Sequence, residues 1–238
     1  MTLENLLNCS RPLYLETDIE GVDYGQVGSC FLVRKGNLLW VATARHCLWP
    51  DQQPKAEEIR GTVERLWIPQ ALADARPTSF GFTRVRVGSS ATRAAAADIA
   101  VIDVANEPLP ETADFCDLAS FPLCTPESGD KLIIAGYPKL INEIQYPEEE
   151  DGKLKPRRLL TSGSFVGHGT ARELNAMLLD KPDTIASCNG MSGSPVFRVR
   201  AVGAQTFAGL AGLAVREMTS AGTIDFIPSL VLEKVLDA

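Results

Sequence analysis

Histidine is scarce: the 238 residues contain two, His46 and His168. None of the six cysteines (Cys9, Cys30, Cys47, Cys116, Cys124, Cys188) forms a C-x-x-C pair. With so few clustered ligands, neither a structural zinc site nor any other cofactor is expected. A basic surplus is missing too. The formal net charge is −7, which argues against nucleic acid as a partner, because phosphate binding needs a basic face. No apolar run approaches the roughly 20 residues that span a bilayer, so no membrane partner is expected. Met1 to Pro12 lacks the basic and then apolar regions of a signal peptide. Reduced thiols and a cytoplasmic location are therefore expected.

What is present is ordinary soluble-protein composition, 45% hydrophobic and 22% charged. The length suits one large all-β domain or two small barrels sharing an interface. Short apolar runs separated by Gly, Pro, Asp or Asn dominate. Phe31–Val33, Lys35-Gly36-Asn37 and Leu38–Ala42 together spell a hairpin. Further strands are predicted at Arg65–Pro69, Phe82–Val87, Ile99–Val104, Lys131–Gly136, Leu159–Val166, Ser194–Val199, Thr206–Leu213 and Thr223–Ile227. Many short strands with turn signals between them indicate a barrel or sandwich. Helical spacing is clear only at the end, in Pro228–Leu236. Glu107–Pro126 carries four prolines and no long strand, and is read as a connection between two barrels. The predicted organisation is an N-terminal arm (1–24), a first barrel (25–110), a linker (111–126), a second barrel (127–228) and a C-terminal helix (229–238). The charged stretch Tyr146–Arg158 is expected to be a solvated loop.

Three segments carry chemistry. In Trp40-Val41-Ala42-Thr43-Ala44-Arg45-His46-Cys47, a strand runs into a small-residue turn that presents His46. In Asp98-Ile99-Ala100-Val101-Ile102-Asp103-Val104, an acid opens an apolar strand, a position that favours Asp98 over Asp103, Asp114 and Asp117. In Asn189-Gly190-Met191-Ser192-Gly193-Ser194-Pro195, glycines on both sides of Ser192 permit a tight turn, expose the hydroxyl and let backbone N–H groups face a substrate oxygen. A serine hydroxyl becomes a useful nucleophile when an adjacent imidazole takes its proton. That imidazole needs a carboxylate to fix its tautomer.

These segments resemble the chymotrypsin clan of serine proteases. Ala44-Arg45-His46-Cys47 is similar to the T-A-A-H-C segment of trypsin-like enzymes, and Gly190-Met191-Ser192-Gly193-Ser194-Pro195 to their G-D-S-G-G-P segment. The order His, Asp, Ser is also that of the clan. Weaker echoes lie at Gly28–Val33, Gly129–Leu132, Gly136–Pro138 and Gly222–Pro228. The set is closer in style to bacterial trypsin-like and HtrA-type proteases than to digestive ones, and covers roughly residues 25 to 235. The resemblance implies an all-β, chymotrypsin-like double antiparallel β-barrel with a short C-terminal helix. It implies a catalytic triad of His46, Asp98 and Ser192, and an oxyanion hole from the N–H groups of Gly190 and Ser192. It places the base of the substrate pocket at Ala186 and its walls at Ala211, Gly212, Leu213 and Ala214. None of these is charged, which points to a small or medium apolar P1 residue. The substrate is then a peptide or protein, with a regulatory protein as a possible further partner.

The departures are informative. Met191 replaces the Asp that pairs with a newly cut N-terminus in secreted zymogens, so that activation switch is expected to be absent. Arg45 replaces a small residue. Gly212 falls where the family usually has a Ser supporting the triad acid, so Asp98 would need another donor. Cys47 and Cys188 fall at family cysteine positions. Cys30 lies near the usual partner of Cys47 but out of clear register, and nothing follows Cys188 to close its bridge, so the disulfide framework is expected to be lost. His168 is read as structural and Cys188 as a wall residue. The alternatives to a serine endopeptidase are a non-catalytic peptide- or protein-binding module and an esterase.

Overall fold

The computed structural model describes residues 7–20, 22–50, 54–70, 79–88, 98–105, 114–139, 156–181, 188–203, 205–218 and 221–237. Among the described residues, thirteen strands form two β-structures, accompanied by the three helices named below. The first contains β1 (Ser10–Ile19), β2 (Val22–Lys35), β3 (Leu38–Ala44), β4 (Leu66–Trp67), β5 (Phe82–Val87), β6 (Ile99–Val104) and β7 (Cys116–Asp117). Its order is β4-β1-β2-β3-β6-β5, with β7 pairing parallel to β2. The second contains β8 (Lys131–Gly136), β9 (Leu159–His168), β10 (Asn175–Leu179), β11 (Pro195–Val202), β12 (Gln205–Met218) and β13 (Thr223–Pro228). It closes into a barrel in the order β10-β13-β12-β11-β8-β9.

The all-β double-barrel class is therefore present, with one difference. Among the described residues the first half is an open half-barrel rather than a closed one. The stretch 1–24, expected to be an arm, contains β1, which pairs with β2 from Ser10↔Phe31 onward. Two buried polar groups, Ser10 and Arg11, tie it down. Ser10 Oγ donates to the Ala135 carbonyl (2.7 Å) and Arg11 Nε to the Pro69 carbonyl (3.2 Å).

Strand pattern follows burial. Leu39 to Ala44 of β3 are all buried, as befits a continuous apolar strand flanked on both sides by β2 and β6. In β8 the alternation is visible: Leu132 and Ile134 face the barrel interior, while Ile133 and Ala135 pack on the larger core between the halves. The β2–β3 hairpin pairs Lys35 with Leu38 and leaves a two-residue turn, with Gly36 at φ +62°. A positive φ at the first central residue suits a glycine, and the twist of such a turn matches the strands.

Helix α1 (Arg45–Leu48) is a single turn directly after β3. Helix α2 (Ala56–Glu64) is not expected from the sequence, although its few apolar residues, Ala56, Ile59 and Val63, stand at helical spacing. Helix α3 (Ser229–Leu236) ends the fold where the sequence places it, burying Leu232 and Leu236. Arg86 Nη1 donates to the Leu236 carbonyl (2.8 Å), and Lys35 Nζ meets Asp237 Oδ1 at 2.6 Å. The last helix thus fastens onto the first half of the molecule. None of the helices among the described residues is long and apolar enough to cross a membrane.

Candidate active site

Strand register brings the first two chemical groups together. The antiparallel pair Ala44↔Ile99 sets the end of β3 against the start of β6. The next residues outward are Arg45 and Asp98, and Arg45 N–H donates to the Asp98 carbonyl (3.3 Å). Helix α1 then turns the chain back, so that His46 N–H donates to Asp98 Oδ1 at 2.9 Å and His46 Nδ1 lies 2.6 Å from Asp98 Oδ2. Both carboxylate oxygens are engaged by one histidine. Arg45 Nη2 adds a loose ion pair to Oδ1 at 3.9 Å. The donor that Asp98 needed comes from the histidine's own backbone and from Arg45.

Ser192 arrives from the second barrel by the same means. β11 pairs with β12 at Pro195↔Leu213, and two bonds prolong this ladder outward: Ala214 N–H to the Ser194 carbonyl (2.9 Å) and Gly193 N–H to the Ala214 carbonyl (2.7 Å). Ser192 consequently faces Val215, and its hydroxyl donates to the Val215 carbonyl at 3.1 Å. His46, Asp98 and Ser192 all line one cleft of about 550 Å³, whose other walls include Cys188, Asn189, Gly190, Ala214, Val215, Arg216 and Ile224.

The loop before Ser192 is held in one conformation. Gly190 has φ +95° and Gly193 +90°. A Cβ on Gly193 would stand 2.0 Å from the Ser29 carbonyl oxygen, so the approach of the two halves requires glycine. The Asn189 carbonyl accepts from Lys139 N–H (2.7 Å) and the Met191 carbonyl from Ser194 N–H (3.0 Å). In a trans peptide the N–H points opposite to the C=O. The N–H groups of Gly190 and Ser192 are therefore directed away from those anchors.

The electrostatics centre on His46. Its partial burial works to lower its pKa, but the hydrogen bond to Asp98 and the adjacent Cys47 thiol outweigh that, pushing it up to about 10. An imidazolium has no lone pair to offer, which agrees with the Ser192 hydroxyl resting on the Val215 carbonyl instead. Cys47 itself is buried, with its thiol 3.5 Å from the Ser192 carbonyl oxygen. None of the six cysteines is in a disulfide. Burial raises the Cys9 thiol to about 12 and also pushes up Cys30, Cys116 and Cys124.

A trypsin-like peptidase domain model matches residues 28–203, well over half of the chain. The chain belongs to the trypsin-like peptidase domain family. A peptidase domain implies a peptide or protein as the substrate class. A search of curated proteins returned no match. Among solved structures, kallikrein-related peptidase 10 in complex with Zn2+ aligns with TM-score 0.56 at 14% identity, covering 100% of this chain and 98% of that one. At that identity the likeness establishes the chymotrypsin-like fold.

The expected pocket residues of this trypsin-like peptidase domain divide. Ala214 lines the cleft. Ala211 and Leu213 are fully buried in the two cores, and Gly212 pairs with Pro228 on β13. Ala186 lies outside the described residues. On β12 the cleft wall is Ala214, Val215 and Arg216, two to three residues beyond the expected stretch, and a one-residue bulge lies between Ala214 and Arg216. Sequence alone carries no marker for such a bulge. Cys188 is a buried wall residue of the cleft. His168 lies exposed at the end of β9, opposite Asn175, away from the cleft. Met191 is buried among Leu132, Met177, Val196 and Ile224 in the barrel interior. Ser29, Lys139 and Val215 position this site without having been singled out beforehand. Only the small-residue pair Gly28-Ser29 inside an apolar strand hinted at the first.

Proposed function

We propose that the chain is a serine endopeptidase that hydrolyses peptide bonds through an acyl-enzyme. The observation that carries this reading is His46, gripped by both oxygens of Asp98 at the mouth of a cleft that Ser192 shares. With His46 neutral, its Nε2 accepts the Ser192 Oγ proton as Oγ bonds to the scissile carbonyl carbon. Asp98 orients the ring and stabilises the imidazolium that forms. The N–H groups of Gly190 and Ser192 receive the oxyanion, each such donor contributing about 2.7–4 kcal/mol to the barrier reduction. His46 returns the proton to the leaving amine. Water, deprotonated by His46, then cleaves the ester and restores Ser192 Oγ–H. No cofactor enters this sequence.

Cys188, Ala214, Val215 and Ile224 give the described part of the cleft an apolar side, in keeping with a small or medium apolar P1 side chain, with the charged Arg216 next to Val215 on the same wall. Thiols outside any disulfide fit a reducing, cytoplasmic setting. The test is turnover of a pooled peptide library and fluorophosphonate labelling, by wild type, Ser192→Ala, His46→Ala and Asp98→Asn. Ser192→Ala and His46→Ala should lose comparable activity because they act as one unit. Asp98→Asn should fold and lose on the order of 10⁴ in turnover by holding the wrong tautomer. A Ser192→Ala variant as active as wild type refutes the mechanism. A wild type that neither cleaves peptides nor takes the probe makes a binding module the better account.

A further inference from the structure

One fully buried hydroxyl, that of Ser29 on β2, joins both halves of the molecule to the loop that carries Ser192. Its Oγ donates to the Gly190 carbonyl (2.9 Å) and accepts from Tyr137 N–H (2.8 Å). The proton's place is not ambiguous: an amide N–H can only donate, and a carbonyl can only accept. The same residue's N–H donates to the Ser192 carbonyl at 2.9 Å, so Ser29 holds the loop on both sides of Met191. Thr43 Oγ1 in turn donates to the Ser29 carbonyl (2.8 Å), fixing Ser29 from β3.

We infer that Ser29 is a positioning residue for the oxyanion hole: its hydroxyl fixes the Gly190 carbonyl, and so the Gly190–Met191 peptide plane that joins the two planes carrying the Gly190 and Ser192 N–H groups. This rests on the proposed serine-peptidase reading. The physical need is plain. A loop with glycines at 190 and 193, both at positive φ, has several accessible backbone states. Rotation of the Asn189–Gly190 plane would turn the Asn189 carbonyl oxygen to where a developing negative charge must be received, and a loosened Gly190–Met191 plane beside it would permit that rotation. Three anchors oppose this: Lys139 N–H on the Asn189 carbonyl, Ser29 Oγ on the Gly190 carbonyl and Met191 N–H on the Cys188 carbonyl. Only the second comes from a side chain, and so only it can be removed by substitution. The Met191 side chain offers no charge and is buried in apolar surroundings. The loop is thus set by neutral hydrogen bonds already present in the intact chain.

The experiment compares wild type, Ser29→Ala, Ser29→Thr and Ser229→Ala by kcat and KM on a cleaved peptide, with fluorophosphonate labelling rates and melting temperature alongside. Ser229 is the control, another buried serine whose hydroxyl reaches a carbonyl (Cys124, 3.2 Å) remote from the loop. Ser29→Ala should lower kcat and labelling rate by about 30-fold or more with KM within about twofold, somewhat below the 10²–10³ of an outright lost donor. Ser229→Ala should lower the melting temperature and leave kcat near wild type. Ser29→Thr, which keeps the hydroxyl, should recover most of the rate. If Ser29→Ala does not fold, Ser29→Cys, with a weaker donor of similar size, is judged by the same kcat criterion. Wild-type turnover with Ser29→Ala or its Cys substitute within threefold in kcat overturns the inference alone. A wild type inert to peptides and probe removes the proposed function and this inference together.

Discussion

At His46, burial and the Asp98 carboxylate pull in opposite directions, and the carboxylate together with Cys47 prevails. An ordinary histidine, titrating near 6.5, would level the pH–rate profile by neutral pH. Here the base is neutral only above about 10. The neutral fraction should therefore rise about tenfold per pH unit, and log kcat/KM should climb with unit slope across pH 7–9. Cys47→Ala should move the midpoint down. A plateau by pH 7.5 in wild type would contradict this. Stability has the opposite sign. A pKa raised on folding stabilises fully below the unfolded value and ceases to do so as pH rises through about 10. Ser194 is a different case at the same scale. Its hydroxyl is buried without a hydrogen-bond partner among the described residues, and it is accommodated because position 136 is glycine; a Cβ there would stand 2.1 Å away. Ser194→Ala removes an unsatisfied buried group at little packing cost, so a gain of about 1 kcal/mol is expected. For a chain of this size that raises the melting temperature by about 2–4 °C. A lower melting temperature would show that the hydroxyl has a partner after all.

At the scale of elements, the site is a consequence of ladder ends. β3 and β6 meet at Ala44↔Ile99, and β11 and β12 at Pro195↔Leu213; each ladder releases its chemical residue just beyond its last pair. The interior of the second barrel supports the nucleophile loop through Met191, which is 2% exposed. Met191→Asp would place a carboxylate among Leu132, Met177, Val196 and Ile224 in the apolar barrel interior. Such a group stays protonated in the folded state rather than bury its charge. Its folded pKa is then raised, so the destabilisation should grow as pH rises above about 4, the carboxylate's unfolded value. Melting curves at pH 5 and pH 8 check this. Equal melting-temperature losses at both values would mean that the introduced carboxylate finds a partner or solvent.

Over the whole molecule, cohesion comes from two cores and a hydrogen-bonded seam rather than from cross-links. None of the six thiols is in a disulfide, and Cys30, placed near Cys47 by sequence, is buried in the core without being bridged to it. The residue that faces the Cys47 thiol is Gly28, where an added Cβ would lie 2.5 Å from Sγ. A reducing agent should accordingly leave the melting temperature unchanged within about 1 °C. Losing a native disulfide costs about 2–5 kcal/mol, which would be obvious in the same scan.

Much of this protein is determined by contiguous sequence. The strands Phe82–Val87, Ile99–Val104 and Lys131–Gly136 appear where apolar runs and turn residues put them, with the same bounds. The Gly36-Asn37 turn and the last helix do so as well. Ser192 between its glycines, and His46 after an apolar strand, are equally legible, because turn chemistry and side-chain alternation are local. Tertiary structure decided the rest. β1 and β10 become strands through their partners. The first half stays open among the described residues, and the β12 residues at the cleft wall are 214–216, with a bulge among them, rather than 211–214. Ser29, 163 residues before Ser192 in the chain, reaches its loop only once the two halves are docked. Register, bulges and seams depend on which distant segments pair, and no local run of residues encodes that choice.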